Sequence, residues 1–78
     1  MTATIISIQR KLSQYGGYFF LVCLKGADGR SYMTYVYPKK RNYKRWKPLL
    51  EEGITLVNLN VKSKNLIDAD SLIEKRDK

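Results

Sequence analysis

The sequence predicts an all-β domain with a small helical content, in the order βββαββ. Three observations carry this. Several short apolar runs are rich in Val, Ile, Tyr and Phe, the residues that fit a pleated, half-buried surface. Gly-containing turns and Pro38 punctuate those runs. Between the third and fourth runs the apolar period changes from two to that of a helix. At 78 residues the chain forms a single domain, residues 1–78, with a structured part over 4–70 and a flexible tail over 71–78.

Residues 4–11 alternate, with Ile6 and Ile8 on one face and Ser7 and Gln9 on the other, and form the first strand. Gly16-Gly17 marks a turn or bulge. The second strand, 18–25, is apolar on both faces, which places it centrally in the sheet. Asp28-Gly29 suits a two-residue hairpin loop leading into a third strand over 30–37, which Pro38 ends. Tyr43, Trp46, Leu49 and Leu50 share a helical stripe, with Asn42 as N-cap and Gly53 after the C-terminus. Pro48 fits only a first turn, so the expected helix is 47–52, or one with a distorted first turn. Residues 54–61 form a fourth strand, 62–65 a turn and 66–70 a fifth strand.

Composition removes several function classes. There is no His, so Ser-His-Asp and Cys-His catalysis lack their base. The single Cys23 rules out a disulfide framework and, with no His, a structural zinc site. Centred in an apolar run, Cys23 reads as a buried core residue in a reducing compartment. No apolar run is long enough to span a bilayer and the N-terminus lacks the pattern of a signal peptide. A cytoplasmic, non-enzymatic protein without metal, cofactor or membrane association is expected. Asp68 and Asp70 share one strand face, but no third ligand lies near; they balance Lys62 and Lys64.

The net charge of +8 is unevenly placed. Lys39, Lys40, Arg41, Lys44, Arg45 and Lys47 fall within residues 38–47 with no acid among them, and Tyr43 and Trp46 are interleaved. Unanswered like charges repel, so this run calls for a polyanion. A two-residue loop at Asp28-Gly29 would pair Leu24 with Met33, Val22 with Tyr35 and Phe20 with Tyr37. That puts Tyr18, Phe20, Tyr35 and Tyr37 on an outer platform, and turns Phe19, Leu21 and Cys23 inward with Tyr32, Thr34 and Val36. Reversal of inside and outside stays open, because both faces of strand two are apolar. Tyr15 in the Gly-Gly loop is placed to close over a ligand, Tyr43 joins the basic run, and Trp46 is a plug beneath the sheet. Arg10, Lys11, Lys25, Arg30, Lys62 and Lys64 are candidates to extend the cationic track.

Five strands with a helix between the third and fourth is the element order of the OB-fold, a five-stranded Greek-key barrel. An SH3-like barrel is the structural alternative. With its apolar second strand, Gly-rich approach and the stretch Lys64-Asn-Leu-Ile-Asp-Ala-Asp-Ser71, the chain resembles the compact single-stranded-DNA-binding proteins of phages, plasmids and other mobile elements. The resemblance covers residues 4–70 and lies in architecture and composition. It implies sequence-independent binding of single-stranded DNA in replication or recombination. Bases would stack on aromatic rings and Lys and Arg would hold phosphates. The alternatives are a barrel serving RNA or duplex DNA, and a protein-interaction module using the tyrosine face. A second copy of the chain, through exposed edge strands, or a replication protein is the expected protein partner.

Overall fold

The structure, a computed structural model, describes residues 1–70 and 74–75. It is mostly β with one short helix. The strands are β1 (Ala3–Leu12), β2 (Tyr18–Gly26), β3 (Ser31–Val36), β4 (Thr55–Val57), β5 (Val61–Ser63), β6 (Leu66–Ile67) and β7 (Glu74–Lys75), with α1 (Tyr43–Trp46) between β3 and β4. They form one mixed sheet in the order β5-β6-β3-β2-β1-β4-β7. The β3–β6 pairing is parallel, and the other pairings are antiparallel. β4 and β5 are consecutive in the chain, linked by residues 58–60, yet in the sheet β6, β3, β2 and β1 stand between them.

One face of the sheet carries the core. Ala3 and Ile5 of β1, Val22 and Leu24 of β2, Tyr32 and Val36 of β3, Leu56 of β4 and Ile67 of β6 all point into it. Trp46, Leu49 and Ile54 join the same cluster, and Trp46 is fully buried. Its indole Nε1 donates to the Ala69 carbonyl at 2.9 Å, so the largest core side chain leaves no orphaned donor. The expected burial of Trp46 therefore holds. Thr34, also fully buried, donates its hydroxyl to the Ile67 carbonyl at 2.9 Å and ties β3 to β6.

Three expectations are corrected. The helix lies earlier than 47–52: α1 spans Tyr43–Trp46 and passes into a tight 3₁₀ turn, Lys47–Leu49. Pro48 has no N–H for an α-helical bond, and the chain meets this by tightening rather than by delaying the helix. Asn42 is not an N-cap. Its backbone is already helical, and its side-chain amide donates instead to the Ala69 carbonyl (3.2 Å) and the Asp70 carboxylate (2.9 Å). The strand expected over 54–61 is broken in two. Asn58 takes a left-handed backbone (φ 63°), which swings Leu59 into the core. Leu59 then exchanges backbone bonds with Met1: its carbonyl accepts from the N-terminal amine at 2.8 Å, and its N–H donates back at 3.1 Å.

β6 ends at Ile67, so Asp68 and Asp70 lie beyond the strand rather than side by side on it. The Asp70 N–H donates to the Asp68 carboxylate at 3.0 Å. Of the expected tail, Glu74 and Lys75 pair with Val57 and Leu56, while 71–73 and 76–78 lie outside the described residues.

Candidate nucleic-acid interface

The hairpin between β2 and β3 decides which side chains face outward. Its loop has three residues, Ala27-Asp28-Gly29, not two. Gly26 N–H donates to the Arg30 carbonyl at 2.8 Å, and Gly29 N–H closes the turn onto the Gly26 carbonyl at 2.9 Å. Gly29 has φ +84°, the left-handed residue that such a loop requires. The Asp28 carboxylate accepts from the Arg30 N–H at 3.0 Å and from the Tyr32 hydroxyl at 2.7 Å. The Arg30 N–H, then the Tyr32 hydroxyl, hold Asp28 below its ordinary pKa, and the same carboxylate raises that of Tyr32.

The extra loop residue slides the register by one. Leu24 pairs with Tyr32, Val22 with Thr34, Leu21 with Tyr35 and Phe20 with Val36. The faces of β3 are as expected, with Tyr32, Thr34 and Val36 inward and Tyr35 outward. The faces of β2 are reversed: Val22 and Leu24 are in the core, Phe20 packs against it, and Phe19, Leu21 and Cys23 are half-buried on the outer side. Phe20 is thus removed from the outer platform and Cys23 from the core. Placing the tyrosine-rich side of β3 outward obliges the opposite parity of β2 to follow it.

The platform that results is Phe19, Tyr35 and Tyr37. The Phe19 ring stands 5.9 Å from that of Tyr35, edge-on at 65°, and 5.5 Å from that of Tyr37, tilted by 34°. Tyr35 and Tyr37 are exposed. Lys11 pairs with Phe19 across β1–β2. The Lys40 ammonium lies 5.8 Å from the centre of the Tyr37 ring. The Lys39 side chain runs against Gly17 in the β1–β2 loop, where an added Cβ would meet its Cε at 3.8 Å. Aromatic faces and ammonium groups therefore alternate across the outer side of β1–β2–β3 and the start of the basic run.

A cleft of about 230 Å³ opens beside this platform, lined by Tyr35, Tyr37, Lys40, Lys62, Asp68 and Asp70 among others. A second, shallower one of about 350 Å³ is lined by Arg41, Asn42, Lys44, Arg45 and Asp70. All six cations of the basic run are exposed. Lys40 reaches the platform, Lys39 lies against Gly17 of the β1–β2 loop, Arg41, Lys44 and Arg45 border the second cleft, and Lys47 lies on the 3₁₀ turn. Tyr43 packs partly against the core and is not on the platform. Tyr15 is 87% exposed at the tip of the β1–β2 loop. Tyr18 is exposed on the core-facing parity of β2, beyond the end of the core, with its ring 5.5 Å from that of Phe20 and the Arg10 guanidinium 5.5 Å from its centre. Lys25 and Arg30 lie at the far hairpin and Lys62 and Lys64 near the β5–β6 turn.

Sequence reasoning missed Phe19. The only signal available was the matching apolarity of both faces of β2, which leaves Phe19 and Phe20 equivalent. Among the described residues no group of three or more Cys, Asp and Glu is placed to hold a metal ion. No helix among them is long and apolar enough to cross a membrane. No protein-family model, curated protein or solved structure matches the chain.

Proposed function

We propose that this chain is an OB-fold barrel that binds single-stranded DNA without strong sequence preference, through the outer side of β1–β2–β3. The strand connections support the fold reading. Counting β4 and β5 as one interrupted strand, and setting aside the two-residue β7 paired on β4, gives five strands, of which the first pairs with both the second and the fourth and the third runs parallel to β6. The observation that carries the functional reading is the Phe19–Tyr35–Tyr37 cluster with Lys11, Lys39 and Lys40 at its border. Unpaired bases stack on such rings, each stack contributing about 1–3 kcal/mol, while ammonium groups hold the phosphates and release counterions. A duplex hides its base faces and would leave the rings unused, which favours the single strand.

The test is fluorescence anisotropy of a labelled dT oligomer titrated with the protein. Binding is expected at low salt and declines steeply as salt is raised. Combined Tyr35→Ala and Tyr37→Ala substitution is expected to weaken it at least tenfold, since about 1.4 kcal/mol is a factor of ten. The circular dichroism spectrum should be unchanged, because both side chains stand outside the core. No binding at low salt, or equal affinity for duplex and single strand, overturns the reading.

A further inference from the structure

The β1–β2 ribbon outruns its neighbours. β3 follows β2 only as far as the Phe20–Val36 pair, and β4 follows β1 only at Ala3 and Thr4. The pairs Lys11–Phe19 and Leu12–Tyr18 therefore stand beyond the rest of the sheet, with the loop 13–17 at their tip. A projecting two-stranded ribbon has two open faces. Its outer face carries Lys11 and Phe19 and belongs to the platform. On the other face, Arg10 and Leu12 of β1 pair with Phe20 and Tyr18 of β2.

That second face is made of the same materials as the first. The Tyr18 and Phe20 rings meet edge-to-face at 86°, and the Arg10 guanidinium lies 5.5 Å from the Tyr18 ring centre. Leu12 is 86% exposed, an apolar side chain left in solvent next to a half-exposed aromatic ring. Residues 1–27 contain no acidic side chain, so nothing on the ribbon opposes an anion. Tyr15, in the loop at the tip between the two faces, is exposed.

Resting on the single-strand reading above, we propose that the ribbon is gripped on both faces. One segment of the strand lies on Phe19, Tyr35 and Tyr37. The strand then turns over the tip past Tyr15, and a second segment lies on Arg10, Leu12 and Tyr18. The polyanion is the occupant that the charge selects, and the tip makes the second face continuous with the first. A base stacks on Tyr18, Leu12 covers its edge, and Arg10 serves both ring and phosphate.

A strand that wraps must be long enough to do so, and length is the test. Affinities are measured for a dT oligomer of about 6 nucleotides and one of about 20, the first near the lower limit and the second beyond the upper limit of the roughly 4–16 nucleotides that one OB fold covers. The long oligomer is expected to bind the unaltered protein at least tenfold more tightly per molecule than the count of overlapping short sites predicts. In the Arg10→Ala, Leu12→Ser, Tyr18→Ala variant that excess is expected to vanish, bringing the long-to-short ratio to its statistical value. Leu12→Ser alone, at a side chain already in solvent, should remove part of the excess and cannot act by unfolding. An unaltered ratio in either variant overturns the proposal, as does the lack of any excess in the unaltered protein while the short oligomer binds. If neither oligomer binds, the single-strand reading itself falls, and the wrapped path with it.

Discussion

Phe19 and Phe20 are adjacent and chemically identical, yet one stands on the outer face of the sheet beside Tyr35 and Tyr37 and the other packs against the core. Their difference is parity alone, so the substitutions separate the two roles. Phe19→Ala is expected to weaken dT binding about tenfold through a lost stack, at a stability cost of about 1 kcal/mol from its ring contacts with Tyr35 and Tyr37. Phe20→Ala opens a gap against the core and is expected to cost about 2–4 kcal/mol, seen as a fall in Tm. Trp46→Phe removes the indole donor from the Ala69 carbonyl and part of the core volume. A loss of about 1–3 kcal/mol is expected, or a Tm lower by about 5–20 °C for a domain of this size. The burial of Trp46 was legible in the sequence, because it sits on a helical stripe with Leu49 and Leu50. The choice between Phe19 and Phe20 was not. A strand apolar on both sides gives no preference for either parity, and a neighbouring strand has to supply it.

At the scale of elements, the β2–β3 hairpin shows how one residue in a loop governs a whole face. Gly26-Ala-Asp-Gly29 fits a loop of two residues or three, and only the backbone bonds from Gly26 to Arg30 distinguish them. Its two glycines act differently. At Gly29 a Cβ meets nothing within 4 Å, so Gly29→Ala costs only the left-handed backbone, about 1–2 kcal/mol. At Gly26 a Cβ would stand 2.6 Å from the Asp28 carboxylate oxygen and 2.7 Å from the Tyr32 ring. Gly26→Ala must therefore displace the Tyr32–Asp28 bond and should be the more damaging of the two in thermal melts.

That bond also makes stability depend on pH at both ends of the scale. Asp28 is held below its ordinary 3.8, so its contribution is present above that value and is lost as pH falls through the lower folded pKa. Tyr32 is raised above its ordinary 10.0, so its contribution is present below 10 and is lost as pH rises through the higher folded value. The Tm difference between the protein and its Tyr32→Phe variant is thus expected to be largest near neutrality and to shrink below about pH 3.8 and above pH 10. A difference that stays constant across this span would sink the assignment. The first three strands were legible to within a residue or two, since each is an uninterrupted β-prone run. The fourth was not, because the run 54–61 hides its break. Asn58 is ordinary in composition, and only the left-handed turn that brings Leu59 inward reveals the division.

For the molecule as a whole, charge and fold do different work. The basic run 38–47 follows β3, includes α1 and ends on the first residue of the 3₁₀ turn, so its charge is carried on the β3–β4 connection and not along the strands. Lys40 reaches the aromatic cluster and Lys39 lies against Gly17 of the β1–β2 loop, whereas Arg41, Lys44 and Arg45 line a separate cleft with Asn42 and Asp70. Sequence gave the position and sign of this charge but not its division between two clefts. Each phosphate contact to a single strand contributes about −0.7 to the slope of log affinity against log salt concentration. Removing Lys39 and Lys40 together should therefore flatten that slope by about 1.4. Removing Lys47, on the 3₁₀ turn, should leave it unchanged within error. Equal effects would mean that the run acts as a diffuse cloud of charge and not through placed side chains.

The burial of the only tryptophan has a practical consequence for watching this protein at work. Four of its six tyrosines, Tyr15, Tyr18, Tyr35 and Tyr37, are exposed, while Trp46 is sealed beneath the sheet. The molecule thus carries two chromophores with separate duties. Indole emission stays blue-shifted for as long as the domain is folded, whatever lies on its surface. Phenol nitration reports which rings a ligand covers. A bound oligonucleotide should shield the exposed phenols from reagent without moving the tryptophan spectrum, so that occupancy and integrity can be read from one sample.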